Sequence, residues 1–412
     1  MASNLTVNGS RLWETILVSA SIGKGPRGGL RRLTLTDEDR QMRDQLKHWA
    51  QDGGYRLSID RLGNMFLRRE GSEPSLPPVL IGSHLDTQWA GGRFDGVLGV
   101  LAGLEVLRTL DDLNLQTRRA IEVVNWTNEE GARFSPPMLC SLAWSGQASE
   151  EWVNDRIDKD GVRFADALAR IGYRGEAPVG GRTVDAYFEL HIEQGPKLDE
   201  TKIPVGIVIG GFPSYGARVA IQGETAHAGP TPMAKRSNAL IGAAMVAVAV
   251  NDIGWAHAAD DAKATAARLD LVPNLPGILS EYAQLFVDMR APDVNRLARM
   301  KEEFLAALPG CAERSRTQIS VAEEWGFGVF DFDAELIALL RDTARRLGIP
   351  TMDLRSQAGH DAYHMAKCAP ACMIFTPCKD GITHNEAEDI VLEETLPGVN
   401  LLLNAAVARA NR

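Results

Sequence analysis

Apolar runs of strand length alternate with helical patterns along most of the chain. From Pro78 the run PVLIGSHLD is continuous enough for a buried strand, and after a glycine-rich stretch Val97, Val100, Leu101, Leu104 and Leu107 recur at helical spacing. Similar strands return in AIEVVNWTNEEG, in DAYFELHIEQG and, after a helical pattern over Ala334–Leu347, in ACMIFTPCKDGITHNE. Upstream, Thr36 precedes Asp37, Glu38 and Asp39, an N-cap followed by acids where the helix dipole favours them, and predicts a helix to about Gln51. Strands alternating with helices predict an α/β fold in which helices cover both faces of a mixed sheet.

The pattern changes between about Gly211 and Phe330. ARVAIQG, ATAARLDLV and YAQLFVDMR alternate like half-buried strands, and Asn238 to Val250 and Val294 to Leu308 read as helices. This predicts an inserted α+β domain over residues 213–330, with 1–212 and 331–412 forming the two parts of the other domain. Gly210, Gly211, Pro213 and Gly216 before it, and the glycines of WGFGVF after it, are candidate hinge residues.

Length agrees, because 412 residues correspond to two or three domains. A 45% hydrophobic and 24% charged composition is that of a folding globular chain. The net charge of −10 argues against a nucleic-acid or anionic-membrane partner and leaves small molecules as the expected ligands. The longest nearly charge-free run, Ala239–Val250, is about half of what a bilayer-spanning helix requires, so no membrane span is expected. The N-terminus shows no signal-peptide pattern, and a cytoplasmic location is expected. Five scattered cysteines offer no zinc-site spacing and read as reduced, mostly buried thiols.

Three of the eight histidines fall where an expected strand meets a loop: His84, His191 and His384. Asp86, Asp95, Glu129 and Glu130 occupy comparable positions, and ligands of α/β sheets collect at the carboxyl ends of strands. Imidazoles and carboxylates converging there suit zinc, manganese, cobalt or nickel. In His84-Leu85-Asp86 the two outer residues point the same way, so Asp86 can hold the second nitrogen of His84 and fix its tautomer. Taken alone, that common tripeptide reads rather as a hydrogen-bonded strand end. Glu129 and Glu130, adjacent acids after an apolar strand, can divide the work of ligand and general base, or they can form a solvated helix turn.

The strings GSHLDTQWAGGRFDGVLGVLAGLEVL, WTNEEGARF, ELHIEQGP, AHAGPTPMAKR, FVDMRAPD, AGHDA and GITHNEAED together resemble the hydantoinase/carbamoylase branch of the aminoacylase-type two-metal amidohydrolases, in order across nearly the whole chain. The resemblance implies two divalent ions per subunit, with Asp95 bridging, His84 and His191 completing one site, and Glu130 and His384 the other. It also implies Glu129 as general base, Asp86 as the partner of His84, and the inserted domain as a lid and dimerisation domain. His227 would reach across a homodimer to steady the developing oxyanion, Arg290 and Asn274 would clamp the substrate carboxylate, and Gln194, Gly359 and His360 would contact the substrate. Asn238 stands where the family has Asp, which puts a lid salt bridge to Arg236 in question.

The implied reaction is hydrolysis of an N-carbamoyl-L-amino acid to amino acid, carbon dioxide and ammonia. Allantoate and N-carbamoyl-β-alanine are alternative substrates, and an N-acyl amino acid deacylase or peptidase is a further alternative. A scaffold without catalysis would lack a ligand or the base, and none is missing. Gly23-Lys24-Gly25-Pro26-Arg27-Gly28 fits a dinucleotide-binding string but lacks the strand-turn-helix context. His48, His257 and His364 read as structural, and Trp89, Trp126 and Trp144 as core residues.

Overall fold

The computed structural model describes residues 4–412. In chain order the strands are β1 (Arg56–Ile59), β2 (Met65–Arg69), β3 (Val79–His84), β4 (Ile121–Trp126), β5 (Ala186–Ile192), β6 (Val205–Gly211), β7 (Ser214–Gln222), β8 (Lys263–Val272), β9 (Tyr282–Arg290), β10 (Gln318–Trp325), β11 (Phe330–Asp331), β12 (Thr351–Ser356) and β13 (Ala371–Thr376). The described residues divide into two compact units, 4–209 with 331–412, and 210–330. The sequence pattern had set the first break at 212/213.

The first unit is built on a mixed nine-stranded sheet of order β1-β2-β4-β3-β5-β13-β6-β11, with β12 beside β6. Its centre, β4-β3-β5-β13, is parallel, whereas β2 pairs antiparallel with β4 and β6 antiparallel with β13. Every residue of β3, β4, β5 and β13 is buried, which explains why these strands read as continuous apolar runs. Successive residues of β5 point to opposite faces: Glu189 accepts a hydrogen bond from Ala362 at the start of helix Asp361–Met365, while Leu190 lies against Gly398 in helix Leu392–Ala410. Helices therefore cover both faces. The helix expected after Thr36 spans Asp37–Asp52, its first turn capped by the Thr36 hydroxyl.

In the second unit the four-stranded antiparallel sheet β10-β7-β9-β8 buries one face against helices Ala239–His257 and Val294–Ser315. Ala217, Val219, Ile221, Leu285 and Val287 meet Ala243, Val246, Val250 and Phe304 there. Burial alternates residue by residue along β9, the source of its half-buried pattern.

Several expectations change. The apolar run from Ala239 continues as helix well beyond Val250, and Ala239–Asp260 is long and apolar enough to cross a bilayer by length and composition; in the fold a third of its apolar window (33%) is buried. Gly210 and Gly211 belong to β6, and Gly216 to β7, where a β-carbon would stand 2.0 Å from the indole nitrogen of Trp325. The latter is a packing glycine rather than a hinge. Helix Val294–Ser315 runs through Pro309 instead of stopping before it. All five cysteines are free thiols, with only Cys368 exposed.

Candidate metal centre

The parallel strands deliver their carboxyl ends to one edge of the sheet. His84 closes β3, His191 lies next to the end of β5, Glu129 and Glu130 follow β4, and His384 follows β13. Asp95 sits just before helix Val97–Asp112, separated from it by Gly96 at φ 67°. A β-carbon on Gly96 would lie 2.3 Å from the His84 ring, so only glycine lets this turn close over the imidazole.

Both buried imidazoles use Nδ1 on backbone. His84 Nδ1 lies 2.9 Å from the carbonyl of Asp86, and His191 Nδ1 lies 2.9 Å from the carbonyl of Ile192. A carbonyl only accepts, so Nδ1 carries the hydrogen; both Nε2 atoms face Asp95, and that of His191 also lies 3.2 Å from the Gly96 nitrogen. The expectation that the Asp86 side chain holds His84 is corrected in part. Its carboxylate stands 4.0 Å from Nδ1 and instead accepts the backbone N–H groups of Glu129 (3.2 Å) and Glu130 (3.3 Å). Asp86 thus orients His84 through its backbone and the two glutamates through its side chain.

Two ligand sets share Asp95 through different oxygens. Asp95 Oδ1 is 3.8 Å from His84 Nε2 and 3.1 Å from His191 Nε2, while Oδ2 is 3.3 Å from His384 Nε2, which is itself 3.3 Å from Glu130 Oε2. Within each trio, His84–Asp95–His191 and Asp95–Glu130–His384, the donor atoms all lie within 4.8 Å of one another. Glu129 belongs to neither trio, but its Oε2 is 3.4 Å from His84 Nε2.

The electrostatics are those of an anionic cluster short of cations. Burial, then Asp361 and Glu130, push Glu129 well above the usual carboxylate range, and burial pushes Glu130 up to about 8 and Asp86 up to about 7. Burial alone would raise Asp95 as well, but His191 and His384 outweigh it and hold it low. Burial lowers His84 to about 4; it acts in the same sense on His191 and His384, where Asp95, with Glu189 and Glu130 respectively, prevails and raises them to about 9 and about 10. Nε2 atoms and carboxylates converging at these separations fit two divalent cations held by nitrogen and oxygen donors, with no cysteine involved, and binding of the ions would release the protons that the carboxylates hold on His191 and His384.

Polar neighbours brace the cluster. Gln194 Nε2 and the Thr383 hydroxyl reach Asp95 Oδ2 at 2.8 and 3.0 Å, and Gln88 donates to Glu130 from both backbone and side chain. Gln194 adopts φ 60°, and its Oε1 is buried without a partner. His360 packs edge-on against His191 at 4.5 Å between ring centres and bonds Ser356, with Gly359 beside it in the same loop. Glu189, His191 and His360 form a third trio of donors, but both Glu189 oxygens are already engaged by Ser83, Tyr187 and Ala362. The supports Gln88, Thr383, Glu189 and Glu388, the last an acceptor for the Asp95 N–H, were not anticipated, although all four lie inside motifs quoted above.

The remaining candidates belong to the second unit. His227 is exposed and accepts from the Gly229 N–H at 3.0 Å, Asn274 is exposed, and Arg290 is partly exposed with an ion pair to Asp288 at 2.7 Å. Asn238 caps helix Ala239–His257, while Arg236 donates to the carbonyls of Thr231 and Ala228, so the two have separate tasks. Trp126 and Trp144 are core residues as expected, but Trp89 is 54% exposed beneath the Arg31 guanidinium.

Comparison with known proteins places this geometry in context. Residues 80–408 match the model of peptidase family M20/M25/M40. The chain is 41% identical over 407 residues to an N-carbamoyl-L-amino-acid amidohydrolase of Rhizobium meliloti, covering 99% of this chain and 98% of the relative. A solved amidase of the hydantoinase/carbamoylase family from Burkholderia vietnamiensis, 41% identical, superposes with a TM-score of 0.96 and 100% coverage of both chains. A ureidoglycolate hydrolase of Arabidopsis thaliana is 28% identical over 98% of this chain and 87% of its own length.

Proposed function

The chain belongs to peptidase family M20/M25/M40 and to its hydantoinase/carbamoylase amidases, and from that premise we propose that it cleaves the ureido C–N bond of N-carbamoyl-L-amino acids, releasing amino acid, carbon dioxide and ammonia. It is a hydrolase of carbon–nitrogen bonds other than peptide bonds. The observation that carries the reading is the pair of donor trios sharing Asp95, with Glu129 outside both and 3.4 Å from His84 Nε2.

His84, Asp95 and His191 would hold one divalent ion and Asp95, Glu130 and His384 the other, with zinc, manganese, cobalt and nickel all suited to these donors. Such ions supply Lewis acidity, which acidifies water and polarises a carbonyl. Glu129 takes the proton of the attacking water and returns it to the leaving nitrogen, a role open to it because it belongs to neither donor trio. Asp86 keeps Glu129 and Glu130 in place through their backbone N–H groups. His227 steadies the developing oxyanion, Arg290 and Asn274 grip the substrate carboxylate, and Gln194, Gly359 and His360 contact the ureido end.

The protein acts as a cytoplasmic homodimer. Ile241, Val248 and Trp255 recur every seventh position on helix Ala239–His257, exposed by 44%, 60% and 76%, a stripe suited to the same helix of a second copy. A substrate panel read by ammonia release tests the reaction. N-carbamoyl-L-α-amino acids should turn over fastest, ahead of N-carbamoyl-β-alanine, allantoate and N-acyl amino acids, and carboxamide analogues should be poor substrates because Arg290 then lacks its partner. Faster turnover of N-acyl amino acids would make the protein a deacylase. The Arabidopsis relative, a ureidoglycolate hydrolase, supports a second reading, hydrolysis of a ureide such as allantoate, and faster turnover of allantoate would favour it.

A further inference from the structure

The segment after His384 carries two acids that grip loops distant in sequence. Glu386 accepts the N–H groups of Arg27 (2.6 Å) and Gly29 (3.3 Å), so the glycine-rich stretch that resembled a dinucleotide motif is a donor loop for this carboxylate. Two residues on, Glu388 is buried at 1% exposure, and its Oε1 accepts the N–H groups of Phe94 (2.9 Å) and Asp95 (3.0 Å). Its Oε2 lies 3.1 Å from the Thr383 hydroxyl, which is also 3.0 Å from Asp95 Oδ2. That hydroxyl has one proton for two carboxylates, so Glu388 offers it an alternative acceptor whenever Asp95 Oδ2 is engaged elsewhere.

The loop is shaped around this carboxylate. A β-carbon on Gly92 would stand 2.0 Å from Glu388 Oε1, so the carboxylate rests on bare backbone. The hydrogen bonds to Glu388 come from neutral donors, the N–H groups of Phe94 and Asp95 and the Thr383 hydroxyl, and its charge also acts on His384.

We propose that Glu388 is a positioning residue: by holding the backbone of Asp95 and the hydroxyl of Thr383, it sets the aim of both Asp95 oxygens and so the affinity of the shared cation site. The inference rests on the two-cation reading given above. Partners of this kind, one step removed from the ligands, are typically worth roughly 10–100-fold in metal affinity or activity.

The test is a Co(II) titration of the chelator-stripped full-length protein, followed by visible absorption, with kcat and KM measured on an N-carbamoyl-L-amino acid. Glu388→Ala should weaken Co(II) binding roughly 10–100-fold, alter the cobalt spectrum and lower kcat, with KM within about threefold of the parent. Glu388→Gln, whose amide oxygen still accepts both N–H groups, should recover most of that affinity. A folded Glu388→Ala protein with the parent's cobalt affinity overturns the proposal, as does a Gln variant as impaired as Ala. If Glu388→Ala does not fold, Gly92→Ala decides, since its new methyl displaces the carboxylate; unchanged cobalt affinity there is equally fatal. A parent protein that takes up no Co(II) removes the two-cation reading itself, whereas normal uptake by parent and variant alike removes only the role of Glu388.

Discussion

The two units carry their candidate functional side chains in opposite ways. In the first, the side chains of His84, Asp95, His191 and Glu130 are at most 4% exposed, and His84, Asp95 and His191 are each held by backbone or by a neighbouring polar group; His384, 48% exposed, is the exception. In the second, His227 and Asn274 are exposed, and Arg290 is partly exposed and paired with Asp288. Physical chemistry accounts for the contrast. Donors for a cation must be gathered against their mutual repulsion, and burial with backbone hydrogen bonds fixes them before the ion arrives. Groups that meet a substrate can stay hydrated until it binds, which spares their desolvation beforehand.

The largest expected effect is on the buried side of this contrast. Glu129→Gln should keep its metal content and lose roughly 10²–10⁴-fold in kcat, the range for removing a general base. Metal analysis alongside turnover separates the outcomes, and an active Gln variant would remove Glu129 from that role.

On the exposed side, His227→Ala should cost roughly 10²–10³-fold in kcat, as loss of an oxyanion donor does. Because His227 would serve the neighbouring subunit, mixing the inactive His227→Ala and Glu129→Gln proteins should restore activity to roughly a quarter of the parent's, the share of complete sites in randomly exchanged dimers. No recovery after subunit exchange would confine His227 to its own subunit or remove it from the chemistry.

A smaller effect concerns the scaffold. Burial, with a lesser contribution from Lys367, lowers His364 to about 4, and its Nδ1 faces the Gln147 amide at 3.1 Å. Between that value and the unfolded pKa of about 6.5 the unfolded chain binds more protons, so stability rises with pH. The contribution is complete above about pH 6.5 and is lost on acidification, by about 2 kcal/mol at pH 5. Denaturant unfolding at about pH 5 and 7.5 should show His364→Gln losing that much less than the parent; equal losses would contradict it. His364 lies on helix Asp361–Met365, whose Ala362 N–H binds Glu189, so the supports of the first unit should loosen first in acid.

How much could be read from the chain follows the same division. The parallel strands were legible because burial on both faces leaves continuous apolar runs, and their ends located His84, His191, His384, Glu129 and Glu130. The hairpin β1–β2 and the edge strand β10 were not, since the exposed residues of RLSI and VAEEW break the apolar pattern. The division of labour at Asp86, backbone to His84 and carboxylate to residues 129 and 130, depends on loop conformation that no residue spacing encodes. Glu388 lay inside a recognised motif, yet its partners Phe94 and Asp95 are 294 and 293 residues away.

Everything rests on Asp95 serving two cations at once. Anomalous scattering at the zinc edge, from crystals grown with zinc, tests this most directly. Two peaks should flank Asp95, one about 2.0–2.2 Å from donors of His84 and His191, the other at a similar distance from Glu130 and His384. A single peak at full occupancy, or peaks away from Asp95, would contradict it.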